Sequence, residues 1–282
     1  RELRATVGQR RRHGMGDALA VIVAASHSKD ARERYRAIQD AQDYVQEHGS
    51  ELAEAAPALV DALQPALADA NPKVVQGALE LLGTLVERLG EEFAPYLSGV
   101  WAPLVERLGD AKTGVRDRAI DLAVAASTLS VLPAEALEQL RPGFDHRNWR
   151  VRESTLLVLA RTLGAHAAGA PGLPLKPLVL PTAKLLEDGQ PSVREAAAAA
   201  LEQAHRHCGD ALLSDLSRVE LRPAVLRHIL TRLGGDDEQR PGDGVAGGGG
   251  ASGGLSSVSG IGSSSAGSGA ASRAASHPPS PG

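Results

Sequence analysis

The residues best equipped for chemistry in this chain sit in two short stretches. Residues 144–154, FDHRNWRVRES, hold Arg147, Arg150, Arg152, His146 and Trp149 in a sequence that is only 2% aromatic. An indole flanked by guanidinium groups suits an anionic protein surface, because the ring is a rigid anchor and the charges draw the partner in. The second stretch, His205, His207 and Cys208, offers metal-ligand types. Neighbouring residues on one helix do not converge on one ion, however, and no second ligand pair at zinc spacing accompanies them. GDAKTG (109–114) lacks the Gly-Lys-Ser/Thr ending of a phosphate-cradling loop, and no HExxH, GxSxG or kinase-like set occurs. No metal and no cofactor are expected. Nothing assembles an acid, a base and a pocket, so the reading is a binding protein, not an enzyme.

Helices must position these side chains. The 282 residues are 43% apolar, mostly through Ala, Leu and Val, with a formal net charge of −4. Strand-like alternation is almost absent. An acidic chain is not a general nucleic-acid binder. One cysteine, Cys208, excludes an internal disulfide framework and fits a reducing compartment. No stretch reaches the ~18–20 apolar residues of a spanning helix. The expectation is an all-α, soluble, intracellular protein with no membrane partner.

At the N-terminus, Arg10, Arg11 and Arg12 precede MGDALAVIVAAS, which superficially resembles a secretory signal. Asp17 interrupts the apolar run, which continues into the first helical repeat, so that reading is set aside. Met15, the only methionine, is read as the true start and residues 1–14 as an unstructured or upstream extension. Ala20 stands where a myristoylation signal needs Ser or Thr.

The dominant feature is an internal repeat. LADANPKVVQGAL, LGDAKTGVRDRAI, FDHRNWRVRESTL and LEDGQPSVREAAA align on Val74, Val115, Val151 and Val193, at intervals of 41, 36 and 42 residues. The following position holds Val75, Arg116, Arg152 and Arg194, and five residues before the valine stand Asp69, Asp110, His146 and Asp188. SKDARERYRAI is a weaker earlier copy with Arg34 in the arginine slot. Each copy is an apolar helix, a polar turn and a second helix; in the second repeat Val75, Ala78, Leu79, Leu82, Leu85 and Val86 step by three and four along one face. The recurrent Asp and Arg are expected to pair across their own turn: Arg116 with Asp110, Arg194 with Asp188, and Arg152 with a nearby carboxylate such as Glu153. Trp101 falls on the apolar face of its helix with Leu97, Leu104, Val105 and Leu108 and is assigned to the core.

Helix pairs of about 40 residues indicate a HEAT-type solenoid in which each repeat buries its face against its neighbours. Six pairs are expected, at 15–48, 51–89, 91–128, 133–165, 172–208 and 209–233. A HEAT-repeat domain over 15–233 would then precede a tail over 234–282, where 15 Gly and 11 Ser leave too little apolar surface for a core. A solenoid sets its turns side by side along one edge. That edge would carry Lys29, Arg32, Arg34, Lys73, Lys112, Arg116, Arg147, Arg150, Arg152 and Arg194, a basic stripe on an acidic chain, with Trp149 among them.

The succession LGDAKTGVRDRA, HRNWRVRES, LEDGQPSVREAA and HRHCGDALLSDL resembles the first TOG domain of CLASP proteins, the CLIP-associating microtubule regulators. SKDARERYRAI and NPKVVQGALELL look more like plant and green-algal members than animal ones. The resemblance covers 15–233. It implies a flat paddle of six HEAT repeats whose intra-repeat turns face tubulin, in proteins that promote microtubule rescue and suppress catastrophe. It further implies a cytoplasmic, cytoskeletal location on spindle or cortical arrays. Tubulin or the microtubule lattice would be the partner, with other plus-end proteins as further candidates and the domain monomeric. On this reading the contacting residues are Lys29, Arg32, Lys73, Lys112, Arg116, Arg147, Trp149, Arg150 and Arg194. Tubulin-binding TOG domains usually carry a tryptophan at the position of Ala31, and often an apolar side chain at that of Pro72. The alternative to tubulin binding is a HEAT scaffold, adaptor or autoregulatory domain. A nucleic-acid binder would need stacking aromatics along its groove, and Trp149 stands alone. SGIG (259–262) misses the Ser-x-Ile-Pro motif of end-binding partners at Gly262.

Overall fold

The computed structural model describes residues 18–49, 52–130, 133–167 and 175–234. The expected N-terminal extension, the Gly/Ser-rich tail and SGIG lie outside those residues. Helices α1 (18–26) and α2 (Ala31–Glu47) form the first hairpin. Helices α3 (Leu52–Ala66) and α4 (Pro72–Leu89) form the second, and α5 (Trp101–Arg107) with α6 (Thr113–Ala125) the third. Then come α7 (Pro133–Leu140) with α8 (Trp149–Ala165), α9 (Lys176–Lys184) with α10 (Pro191–Cys208), and α11 (Asp210–Leu216) with α12 (Pro223–Gly234). No strand occurs among the described residues. The six expected hairpins are all present.

Two details depart from plain helix pairs. The third hairpin opens on a 3-10 segment, Gly90–Gly99, and its second helix ends in a π-helical turn, Ala126–Ser130. The 3-10 stretch contains Pro95, which lacks the N–H an α-helix interior needs. Gly90 takes φ 55° where α4 stops, a conformation that penalises a side chain.

The second helices pack in series, α2 on α4, α4 on α6, α6 on α8, α8 on α10 and α10 on α12. All six apolar positions read along α4, from Val75 to Val86, are buried, and Trp101 is 4% exposed within the same core. Burying apolar side chains at about 25 cal/mol per Å² is what holds such stacked pairs together. Serial stacking also brings the intervening turns to one edge of the solenoid.

Candidate functional site on the turn edge

The first five of the six turns between a first and a second helix are built on one local pattern. The residue two before the N-cap turns its side chain to accept the N-cap amide. Ser28 Oγ accepts from Asp30 N (3.1 Å), Asp69 Oδ1 from Asn71 N (2.8 Å), Asp110 Oδ1 from Lys112 N (2.8 Å), His146 Nδ1 from Asn148 N (3.1 Å) and Asp188 Oδ1 from Gln190 N (2.9 Å). The N-cap residues adopt φ between −83° and −91° and ψ between 115° and 126°. Asp30, Asn71 and Asn148 cap their helices further by accepting the amides of Arg32, Lys73 and Arg150. The recurrent Asp is therefore first a turn-former.

The recurrent Arg closes the same turn from the other side. Arg34 Nη1 donates to the carbonyls of Ser28 and Lys29, Arg116 to those of Asp110 and Ala111, Arg152 to those of His146 and Arg147, and Arg194 to those of Asp188 and Gly189. Its carboxylate partner, where it has one, belongs to the next repeat. Arg34 makes a two-pronged bridge to Asp69 (Nε–Oδ2 2.6 Å, Nη2–Oδ1 3.0 Å), and Arg152 does the same to Asp188 (2.7 and 3.0 Å). This corrects the expectation of pairing within a turn. Arg116 meets the backbone of Asp110 and not its carboxylate, Arg152 meets Asp188 and not Glu153, and Arg194 meets the backbone of Asp188. The reason is geometric: the stem of the arginine runs along its own turn to reach two carbonyls, which leaves the far side of the guanidinium facing the neighbouring repeat.

Adjacent turns are stapled along the whole edge. Arg34–Asp69 joins the first to the second. Arg107 Nε donates to the carbonyl of Leu67 (2.6 Å) and Asn148 Nδ2 to that of Gly109 (3.0 Å), joining the second to the third and the third to the fourth. Arg152–Asp188 joins the fourth to the fifth, and Arg222 reaches Glu187 Oε1 through its backbone N (2.8 Å) and its Nε (3.0 Å). The charged hydrogen bonds from Arg34 hold the Asp69 carboxyl below its ordinary pKa despite its burial. At Asp188 burial pushes upward, but Arg152, the Gln190 amide and the charge of Arg194 together leave its carboxyl below the ordinary value.

The Arg–Asp ladder is interrupted at the second repeat, where Val75 stands in the arginine slot, and again at the third. Its arginine, Arg116, should meet the acid of the fourth repeat, but His146 occupies that position, and Arg116 Nη2 settles on Thr113 Oγ1 (3.1 Å). His146 uses Nδ1 as the turn acceptor, and its Nε2 lies 3.7 Å from a Glu106 oxygen. His146→Asp should therefore raise stability by about 1 kcal/mol, or roughly 2–4 °C in melting temperature. In an Arg116→Ala background the gain should vanish; a gain that persists would mean the new carboxylate acts through some other group.

The nine residues expected to contact a partner divide into three groups. Arg116 and Arg194 are half-exposed turn clamps. Lys29, Arg32, Lys73, Lys112 and Arg147 are exposed, and among the described residues their side chains have no ion-pair or hydrogen-bond partner. Trp149 is half-buried against the core at the first position of α8, with the Arg150 guanidinium 4.6 Å from its ring centroid. Its slot in the other hairpins holds Ala31, Pro72, Thr113, Pro191 and Pro223. Sequence reading missed Arg36 and Tyr35, one turn into α2, which with Ala31, Arg32, Pro72 and Lys73 line an open groove between the first two turns. Helical spacing from Arg32 to Arg36 was the available signal.

In the second stretch, His207 Nε2 lies 2.9 Å from the carbonyl of Leu163, and burial pushes the Cys208 thiol above its ordinary pKa. No cluster of metal-ligating side chains forms among the described residues.

A helical solenoid with repeated, mutually stapled turns and a line of unpaired cations defines a HEAT-type binding module. Residues 26–231 match the family described as XMAP215/Dis1/CLASP, TOG domain, and the chain belongs to that family. The Xenopus laevis CLIP-associating protein 1-B is 35% identical over 172 residues, 61% of this chain and 12% of that protein. The Arabidopsis thaliana CLIP-associated protein is 31% identical over 213 residues, 74% of this chain and 14% of its own length. This chain thus spans a small part of those relatives. The solved MAST/Orbit N-terminal domain superposes with a TM-score of 0.64 at 25% identity, covering 77% of this chain and 97% of that one.

Proposed function

We propose that this domain binds tubulin or the microtubule lattice through its turn edge, as a non-enzymatic module of a CLASP-type microtubule-stabilising protein acting in the cytoskeleton. The observation that carries this reading is where the unpaired cations stand. Lys29 and Arg147 immediately precede an N-cap, Lys112 is an N-cap, and Arg32, Lys73 and Arg150 occupy the second helical position. A helix N-terminus is already positive, so each exposed cation there costs about 0.3–1 kcal/mol instead of stabilising. Helices α4, α6, α8 and α10 carry no acid in their first turn to offset it. Several arginines elsewhere, Arg118, Arg161 and Arg232 among them, sit in ion pairs, whereas Arg227 on α12 is unpaired among the described residues. A row of locally unfavourable cations calls for an external anionic surface, and tubulin is strongly acidic. A microtubule-polymerase TOG array that shares this fold recruits tubulin.

Co-sedimentation of the chain with microtubules across a salt series tests the reading. Binding should fall steeply with salt, since exposed charges are screened beyond about 8 Å at physiological ionic strength. Lys112→Glu should weaken binding, mainly by slowing association, and leave the melting temperature unchanged or slightly raised, because a carboxylate replaces a cation at a helix N-terminus. Absence of binding even at low salt would turn the assignment to an adaptor or autoregulatory domain.

A further inference from the structure

The groove between the first two turns has a volume of about 660 Å³ and opens on the edge. Its cationic groups are Arg32, Arg36 and Lys73, all exposed. No carboxylate lies within ion-pair distance of any of the three among the described residues. Arg32 and Arg36 are one helical turn apart, so two like charges share one face of α2. Between them and Lys73, the wall is mainly carbon, from the small side chain of Ala31, the ring of Pro72 and the half-buried ring of Tyr35, with the neutral amides of Gln39 and Asn71 beside it. Gly77 allows this arrangement. A Cβ there would meet Ile38 Cγ2 at 2.9 Å and Tyr35 Cε2 at 3.8 Å, so α2 and α4 close together beneath the groove while the bare Ala31 leaves its mouth open.

We infer that this groove is a docking site for an extended acidic peptide segment carrying an aromatic side chain. The carboxylates would meet Arg32, Arg36 and Lys73, and the ring would enter the recess at Ala31 against Tyr35 and Pro72. Carboxylates pair with guanidinium groups in a fixed fork, and an inserted ring gives the apolar anchor that charge alone lacks. The inference rests on the reading of the turn edge as the binding surface and gives one stretch of that edge its own ligand.

The test measures fluorescence anisotropy of the full chain with a fluorescein-labelled glutamate peptide bearing one central phenylalanine. An all-glutamate peptide of equal length and an oligothymidylate of equal charge serve as comparisons. The phenylalanine peptide should bind several-fold more tightly than either. Arg36→Gln should weaken it about tenfold, and Ala31→Trp, which fills the recess, should do likewise. Arg227→Gln, at an exposed and unpaired arginine on α12, should leave binding unchanged. Arg36 is exposed, so Arg36→Gln keeps the test decisive if Ala31→Trp disturbs the fold. Equal losses for Arg36→Gln and Arg227→Gln would overturn the site in favour of diffuse charge, and tighter oligothymidylate binding would overturn the acidic peptide as ligand. Microtubule co-sedimentation is run on the same preparations. Co-sedimentation without peptide binding refutes the groove and leaves the edge reading standing, whereas absence of both refutes the two together.

Discussion

Asp188→Ala is expected to destabilise the folded chain by about 3 kcal/mol, the scale for removing one partner of a largely buried ion pair. For a domain of this size that corresponds to roughly 6–12 °C in melting temperature. The side chains of Asp188 and Arg152 are 6% and 18% exposed, and the carboxylate serves two neighbours at once. It accepts both prongs of Arg152 from the preceding repeat and the Gln190 amide of its own turn. Asp188→Asn keeps an oxygen for the amide but loses the charge, so its loss should be smaller. The pH dependence has a definite sign. The folded-state pKa of Asp188 is depressed, so its contribution is fully present above the ordinary carboxylate pKa near 3.9 and disappears as pH falls through that value toward the depressed one. Thermal melts of wild type and Asp188→Ala should accordingly converge as the medium is acidified. A difference that persists unchanged at low pH would mean that the loss comes from the turn and not from the ion pair.

The same ladder shows what the sequence made legible. Spacing of the valines and the apolar stripes placed six hairpins and their turns, because burial of one helical face imposes a period that any reader can count. The Asp and Arg columns were equally visible, yet their partners were misassigned. A column records which positions recur, and it does not say whether a long side chain closes its own turn or reaches the next one. Two carbonyls at fixed offsets from each arginine decide that, and carbonyls leave no mark in the sequence. His146 stands in the aspartate column as well as in the Arg/Trp cluster, and the structure uses its Nδ1 for the turn contact the aspartates make elsewhere. The staples from Arg107 to Leu67 and from Asn148 to Gly109 also end on backbone oxygens, and so escaped notice.

The candidate site was legible in its charges and not in its relief. Lys29, Arg32, Lys73, Lys112 and Arg147 could be named from the turns alone, since a residue beside a helix N-cap is exposed almost by construction. Arg116 and Arg194 came from the same turns but spend hydrogen bonds on their own backbone. The groove beside Ala31 needed the close approach of α2 and α4 at Gly77, a contact between residues far apart in the chain.

Trp149→Ala is expected to weaken microtubule binding by about 2 kcal/mol, roughly thirtyfold, while costing less stability than Trp101→Ala. The two indoles make the comparison internal to one molecule. Trp101 is 4% exposed inside the core, and truncating such a ring leaves a cavity worth about 3–5 kcal/mol. Trp149 is only half-buried, resting on the core from the start of α8 with the Arg150 guanidinium over its ring. Stacking on the ring restrains that guanidinium, so part of the loss in binding should reappear in Arg150→Ala, where a cation–π contact of about 0.5–1 kcal/mol is removed. The first hairpin has Ala31 in the slot that Trp149 fills in the fourth, so the indole is the one large ring presented at that slot among the described hairpins. Binding isotherms and melts on the same three variants separate the possibilities. A drop in melting temperature for Trp149→Ala as large as that for Trp101→Ala, with affinity of the folded protein intact, would make the ring a staple of the fourth hairpin and remove it from the binding edge.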